Sequence, residues 1–198
     1  MKPLLRTNRR IFVVSLAALV VSQAAVFNAH AEAPAALRQE AVELHNRARD
    51  GDENAAPQAV ERLERHCKRF PEDGVAWAYL GSNYTMMGRD APAVADKVRY
   101  TNRGIRHLDR ALEIAPQDFT VRFVRANVNA ALPQMFGRGD QATEDMLALD
   151  RMFRGAEASP ARAGMMLGIY EALQARAPGR GPWAERLQEA RAMAGREE

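Results

Sequence analysis

The stretch Trp77-Ala78-Tyr79-Leu80-Gly81-Ser82-Asn83-Tyr84 decides how this chain folds. Trp77, Leu80 and Tyr84 stand three and four residues apart, so on a helix they share one face. Gly81 lies beside that face and carries no side chain, which lets a second helix come close. The stretch therefore reads as one helix of a tightly packed pair.

Outward from it the chain repeats itself. Ala59-x3-Leu63-x7-Pro71-x-Asp73 recurs as Gly104-x3-Leu108-x7-Pro116-x-Asp118. In each copy a small residue permits close contact, a leucine fills the joint and a proline ends the helix. Apolar spacing of helical period recurs throughout, with no alternating strand pattern of useful length. It predicts helices over 34–49, 56–70, 74–87, 91–115, 118–132, 140–156, 160–176 and 181–194, divided by glycine and proline joints. Eight helices with short joints make four pairs, an all-α solenoid.

These residues resemble the tetratricopeptide repeat, whose first helix carries W-x-x-L-G-x-x-Y. The resemblance covers about 59–116 and weakens beyond it. It implies TPR-like antiparallel hairpins stacked in a right-handed superhelix. It also implies a binding scaffold with a concave groove, and no enzyme. The two copies stand 45 residues apart, against 34 in the family. Eleven extra residues make about three helical turns. Val94, Val98, Thr101, Ile105, Leu108 and Leu112 keep one stripe across that stretch, so a lengthened second helix without an inserted loop is expected. In the third pair the motif positions hold Arg122, Arg125, Ala126 and Asn129; in the fourth, Leu167-Gly168 and Trp183 remain as fragments.

Residues 1–31 read as a cleavable export signal. Lys2, Arg6, Arg9 and Arg10 precede the apolar run Ile11 to Phe27, and Ala29-His30-Ala31 offers the small-x-small cleavage pattern before Glu32. The run is short for a membrane span of about 20 residues, and its retention as an uncleaved anchor is the alternative. Residues 32–198 then form one repeat domain in the periplasm, with no membrane span after cleavage. The general secretory route is expected, although Arg9-Arg10-Ile11-Phe12 resembles a twin-arginine signal.

The 28 basic and 25 acidic side chains give a net charge of +3, but the signal holds four of the basic ones and no acid, which leaves about −1. The basic balance therefore implies no nucleic-acid partner. All but three basic residues are arginine, so a single arginine is a weak functional clue. Cys67 is the only cysteine, which excludes an internal disulfide. It reads as a small apolar residue on a helix flank.

No catalytic, cofactor-binding or metal-binding residue is expected. Ser82 and Ser159 are the serines beyond the signal, and neither sits in a nucleophile elbow. His66 and Cys67 are adjacent, so they diverge by about 100° on a helix and cannot easily grip one metal. The candidate binding residues are Ser82 and Thr85 in the groove, with Arg122, Arg125 and Asn129 on one face at i, i+3 and i+7. Arginine offers forked donors to carboxylates. The same face could instead be solvated, or paired internally with Asp118 or Asp145. Leu132 to Arg138 is an unusually apolar joint whose Met135 and Phe136 read as core filling.

Two functions follow. The first is a scaffold or adaptor that binds a protein or peptide in the cell envelope. The second is an accessory component of an envelope solute transporter that binds a small organic acid. An open groove lined by Ser82 and Thr85 favours the first; a closed cavity lined by Arg122, Arg125 and Asn129 favours the second.

Overall fold

The computed structural model describes residues 38–155 and 159–195. The expected export signal lies outside the described residues. Among those described, helix α1 runs over 38–49, followed by α2 (Ala55–Arg69), α3 (Gly74–Asp90), α4 (Val94–Ile114) and α5 (Phe119–Ala131). A 3-10 turn, Gln134–Phe136, leads into α6 (Gly139–Gly155), α7 (Pro160–Arg176), a second turn at Pro178–Arg180, and α8 (Trp183–Ala194). Among the described residues the fold is all-α, a stack of helix hairpins.

The repeated Pro-x-Asp segments set where the helices start. Asp73 accepts a hydrogen bond from the Ala76 N–H at 3.0 Å, and Asp118 from Val121 N–H at 2.9 Å. Each aspartate caps a helix by satisfying one of its free amides. Ser159 does the same for α7. A second contact recurs at each joint. Trp77 Nε1 donates to the Pro71 carbonyl at 2.9 Å, and Arg122 Nε donates to the Pro116 carbonyl at 2.8 Å. Trp183 Nε1 reaches the Ala177 carbonyl in the same six-residue step. Arg122 thus keeps the hydrogen bond of the tryptophan position while giving up its ring.

Helices α3 and α4 run antiparallel in unusually close contact. Glycines recur every seven residues along α3. A Cβ on Gly74 would fall 2.7 Å from Ala115 Cβ, and one on Gly81 would fall 2.7 Å from the Gly104 carbonyl oxygen. One on Gly88 would meet Thr101 Oγ1. Gly104 answers Gly81 from the other side, its own Cβ position 2.6 Å from the Gly81 carbonyl oxygen. No loop interrupts the hairpin. The added length is shared between its two helices, however, and does not fall on the second alone: α3 continues to Asp90 and α4 spans 21 residues against 15 in α2. Gly168, in contrast, has nothing within 4 Å of its hypothetical Cβ, so the Leu167-Gly168 fragment marks no close contact.

Apolar packing falls into three clusters. Leu44, Val60, Leu63, Leu80 and Tyr84 join α1, α2 and α3. Ala78, Leu108, Ala111, Val121 and Val124 join α3, α4 and α5. Met146, Leu149, Met166, Ile169, Tyr170, Leu173, Trp183 and Leu187 form the core of α6, α7 and α8, with Phe119 and Ala126 of α5 at its edge. Cys67 is buried in the first cluster, and burial pushes its thiol up to about 12, so it is an inert apolar group.

Two histidines, His45 buried and His107 half-buried, pack into this framework. His107 lies between Trp77 and Tyr84, with ring centroids 5.3 and 5.4 Å away. His45 packs edge-on against Tyr79. Burial pushes both rings down to about 4, with Arg103 and Arg49 adding to the effect.

The close packing at Gly81 should be measurable. Gly81→Ala should destabilise the fold by about 1–3 kcal/mol in urea melts while helical content in water persists. Gly168→Ala, on an open helix face, should stabilise it by about 0.5–1 kcal/mol. Equal effects at the two sites would mean that α3 and α4 do not meet at Gly81. The histidines predict a pH dependence with a fixed sign. Their folded-state values lie below the ordinary 6.5, so the unfolded chain binds more protons as pH falls. Their contribution to stability is complete above about 6.5 and lost towards 4. The urea midpoint should drop between pH 7 and 5, and His107→Phe, which keeps the ring stack, should shrink that drop. An identical drop in both proteins would exclude His107 as a source.

Candidate functional site

Helix α5 presents three faces. Val121 and Val124 meet α3 and α4, while Phe119 and Ala126 meet the last three helices. The third face holds Arg122, Arg125 and Asn129. They form a polar network. Arg122 Nη1 donates to Asp145 Oδ1 of α6 at 2.9 Å, and Arg125 Nη1 donates to Asp145 Oδ2. Arg125 also donates from Nε and Nη2 to Asp109 Oδ1 of α4, at 3.1 and 2.9 Å. Arg138, just before α6, closes the network by donating to Asp109 Oδ1 and to Asn129 Oδ1.

Asp145 is almost wholly buried, with a side chain 2% exposed. Burial pushes its carboxyl above the usual range, against the pull of Arg125 and Arg122. Each guanidinium is spent on an internal carboxylate or carbonyl, so the pairing expected with Asp145 is present. The pairing with Asp118 is not, because that carboxylate caps α5 instead.

Ser82 and Thr85 lie elsewhere, on the wall of a cavity of about 600 Å³. Helices α3, α4 and α5 and the turn after α5 form its walls, Arg49 of α1 stands at its edge, and one side is open to solvent. Met86 and Gly88 of α3 and Val94, Val98 and Thr101 of α4 form one side; Val128 of α5 and Leu132, Met135 and Phe136 form the other. Its polar side chains are few and mostly engaged. Thr85 Oγ1 donates to the Ser82 carbonyl at 2.7 Å, and Asn127 Nδ2 donates to the Phe123 carbonyl at 2.8 Å. Ser82 and Thr101 are themselves buried.

Arg49, Arg89 and Lys97 meet at one end of the cavity. Lys97 Nζ donates to the Arg89 carbonyl at 2.8 Å, and Arg89 Nη2 donates to the Ala48 carbonyl beside Arg49 at 3.2 Å. Asp90 takes up Arg89 and Asp50 takes up Arg49. Lys97 makes no ion pair among the described residues.

Met135 is 77% exposed and Val94 74%. Neither fills a core. The sequence reading places Met135 and Phe136 inside, since a methionine and an aromatic in a joint usually pack inward. The turn over Gln134–Phe136 and the left-handed Gly137, at φ 63°, set them beside the cavity instead. The available signal is their position: an apolar joint directly after a helix whose other faces are already assigned.

The size and lining are those of a binding cavity, an apolar concavity with a few polar groups. Among the described residues, no histidine, cysteine or carboxylate lines it. No family model matches the chain, and no curated protein matches it. Among solved structures the chain is similar to a thermophilic tetratricopeptide-repeat protein of Thermus thermophilus. The two share 19% identity over 80% of this chain and 81% of that one, with a TM-score of 0.47.

The network predicts a hierarchy. Arg125→Gln leaves Asp145 and Asp109 short of their shared partner and should cost about 3–5 kcal/mol in chemical denaturation. Arg122→Gln, at a more accessible position and with Arg125 still in place, should cost less. Equal and small losses would place both arginines in solvent.

Proposed function

We propose that the chain is an exported, non-catalytic binding module of the cell envelope, whose groove between α3, α4 and α5 holds a protein partner. The observation that carries this reading is the apolar cavity with Val94 and Met135 standing in solvent at its mouth. A free surface of this kind is costly to leave in water and is suited to burial by a partner. Stacked helix hairpins offer such a surface without chemistry of their own. The organic-acid reading needs Arg122, Arg125 and Asn129 free, and their pairing with Asp145, Asp109 and Arg138 withdraws that support. The groove is open and lined by Ser82 and Thr85, which favours the scaffold.

The test is co-purification from the envelope fraction of the native host. Proteins recovered with the wild-type chain should be lost with Met135→Asp and retained with Gly168→Ala, with both variants folded by circular dichroism. An unchanged set of partners in Met135→Asp would remove the groove from the interaction. The recovered chain should begin at or near Glu32; full-length protein in the soluble cytoplasm would contradict export.

A further inference from the structure

We propose that the interior of this groove is a site for one long-chain carboxylate, a free fatty acid, whose alkyl chain lies along Val98, Val128 and Leu132 and whose head meets Lys97. The inference rests on the reading of the groove as the binding surface and names what fills it.

A protein partner would cover the mouth at Val94 and Met135. The wall chemistry decides whether an alkyl chain or an extended peptide backbone lies in the interior beneath it. A peptide in extended form brings an N–H and a C=O at each residue, and each needs a partner when taken out of water. The wall offers almost none. Thr85 and Asn127 donate to carbonyls of their own helix, and Ser82 and Thr101 are buried. Asn83 and Asn129 do not line the cavity: Asn83 Nδ2 donates to the Tyr79 carbonyl and Asn129 Oδ1 accepts from Arg138, while their other amide atoms are buried without a partner among the described residues. An alkyl chain asks for nothing but apolar contact.

The polar end is equally specific. An ammonium has three donors, and Lys97 spends one on the Arg89 carbonyl. Arg49 and Arg89 each pair with an aspartate, whereas Lys97, although Asp90 feels its charge, makes no ion pair among the described residues and keeps two ammonium hydrogens for a carboxylate. A cavity of about 600 Å³ falls within the range of small-molecule sites. A ligand with one anionic end and an apolar body matches the cavity in charge and in shape.

The test uses the chain without its signal and cis-parinaric acid, a fatty carboxylate whose fluorescence rises on leaving water. It should bind saturably, one per chain. Saturated carboxylates from about eight to about sixteen carbons should displace it, gaining about fourfold in affinity per added methylene until the cavity is full. An alcohol of the same chain length should compete at least tenfold less well with the wild type. Lys97→Met should lose about tenfold for the acid and little for the alcohol. Val98→Trp should abolish binding of both by filling the interior.

Absence of saturable binding to the wild-type chain overturns the proposal, and that measurement depends on no variant. So does affinity that does not change with chain length, or an alcohol that competes as well as the acid. Loss of envelope partners in Met135→Asp without parinarate binding would leave the docking reading standing and remove the ligand. Parinarate binding with unchanged partners would do the reverse.

Discussion

The contact on which the rest of this structure depends is the approach of α3 and α4 at Gly81 and Gly104. Each glycine faces the other's carbonyl at a distance that leaves no room for a methyl group. Gly74 and Gly88 continue the seam one heptad to either side. A seven-residue repeat of small residues keeps one face of a helix against its neighbour over several turns. That seam lets the hairpin run on beyond the usual length of a repeat without splaying. The far end of the hairpin, from Met86 to Val98, is the part that walls the cavity. The added residues therefore create the groove, and the glycines hold it in shape.

Opposite this wall stands α5, and its position is fixed by charge as well as by apolar contact. Asp145 of α6 and Asp109 of α4 are both held by Arg125, with Arg122 and Arg138 at either side. A buried ion pair gains little net stability over an apolar one, because desolvation offsets the attraction. Its effect is one of geometry. Forked guanidinium contacts tolerate few orientations, so α4, α5 and α6 are locked at the angle that lets Val128 and Leu132 face the cavity. Packing of apolar side chains alone would allow more sliding.

Much of this is legible in the sequence. Trp77, Leu80, Gly81 and Tyr84 identify the hairpin, and the Pro-x-Asp repeats mark both the joints and the capping aspartates. The third pair is legible only in part. At Arg122 the tryptophan's hydrogen bond to the preceding proline carbonyl survives, a feature of the side chain's N–H that a search for large apolar residues overlooks. At Arg125 the leucine position is charged because Asp109 and Asp145 approach from other helices, and pairing across 16 and 20 residues leaves no local spacing to read. The cavity wall is harder still. Val94 and Met135 look like core residues because apolar periodicity reports which face a side chain is on, and not whether a neighbour covers it. Only the placement of α5 against the extended hairpin separates buried Val121 from exposed Val94.

These two constraints bear on how the groove binds. A site assembled from mobile walls loses part of its binding energy to ordering them. Here one wall is sewn by backbone-to-backbone contact and the other is set by ion pairs at its back, away from the cavity. Among the wall side chains Met135 and Lys97 are long and exposed. Methionine adapts its shape at little cost, and lysine carries its charge on a flexible stem. The groove thus combines a rigid backbone frame with a small number of adaptable side chains at its mouth and polar end. Such a frame discriminates by the presence of polar groups more than by fine shape, since a polar atom set against this wall goes unpaired whatever its position.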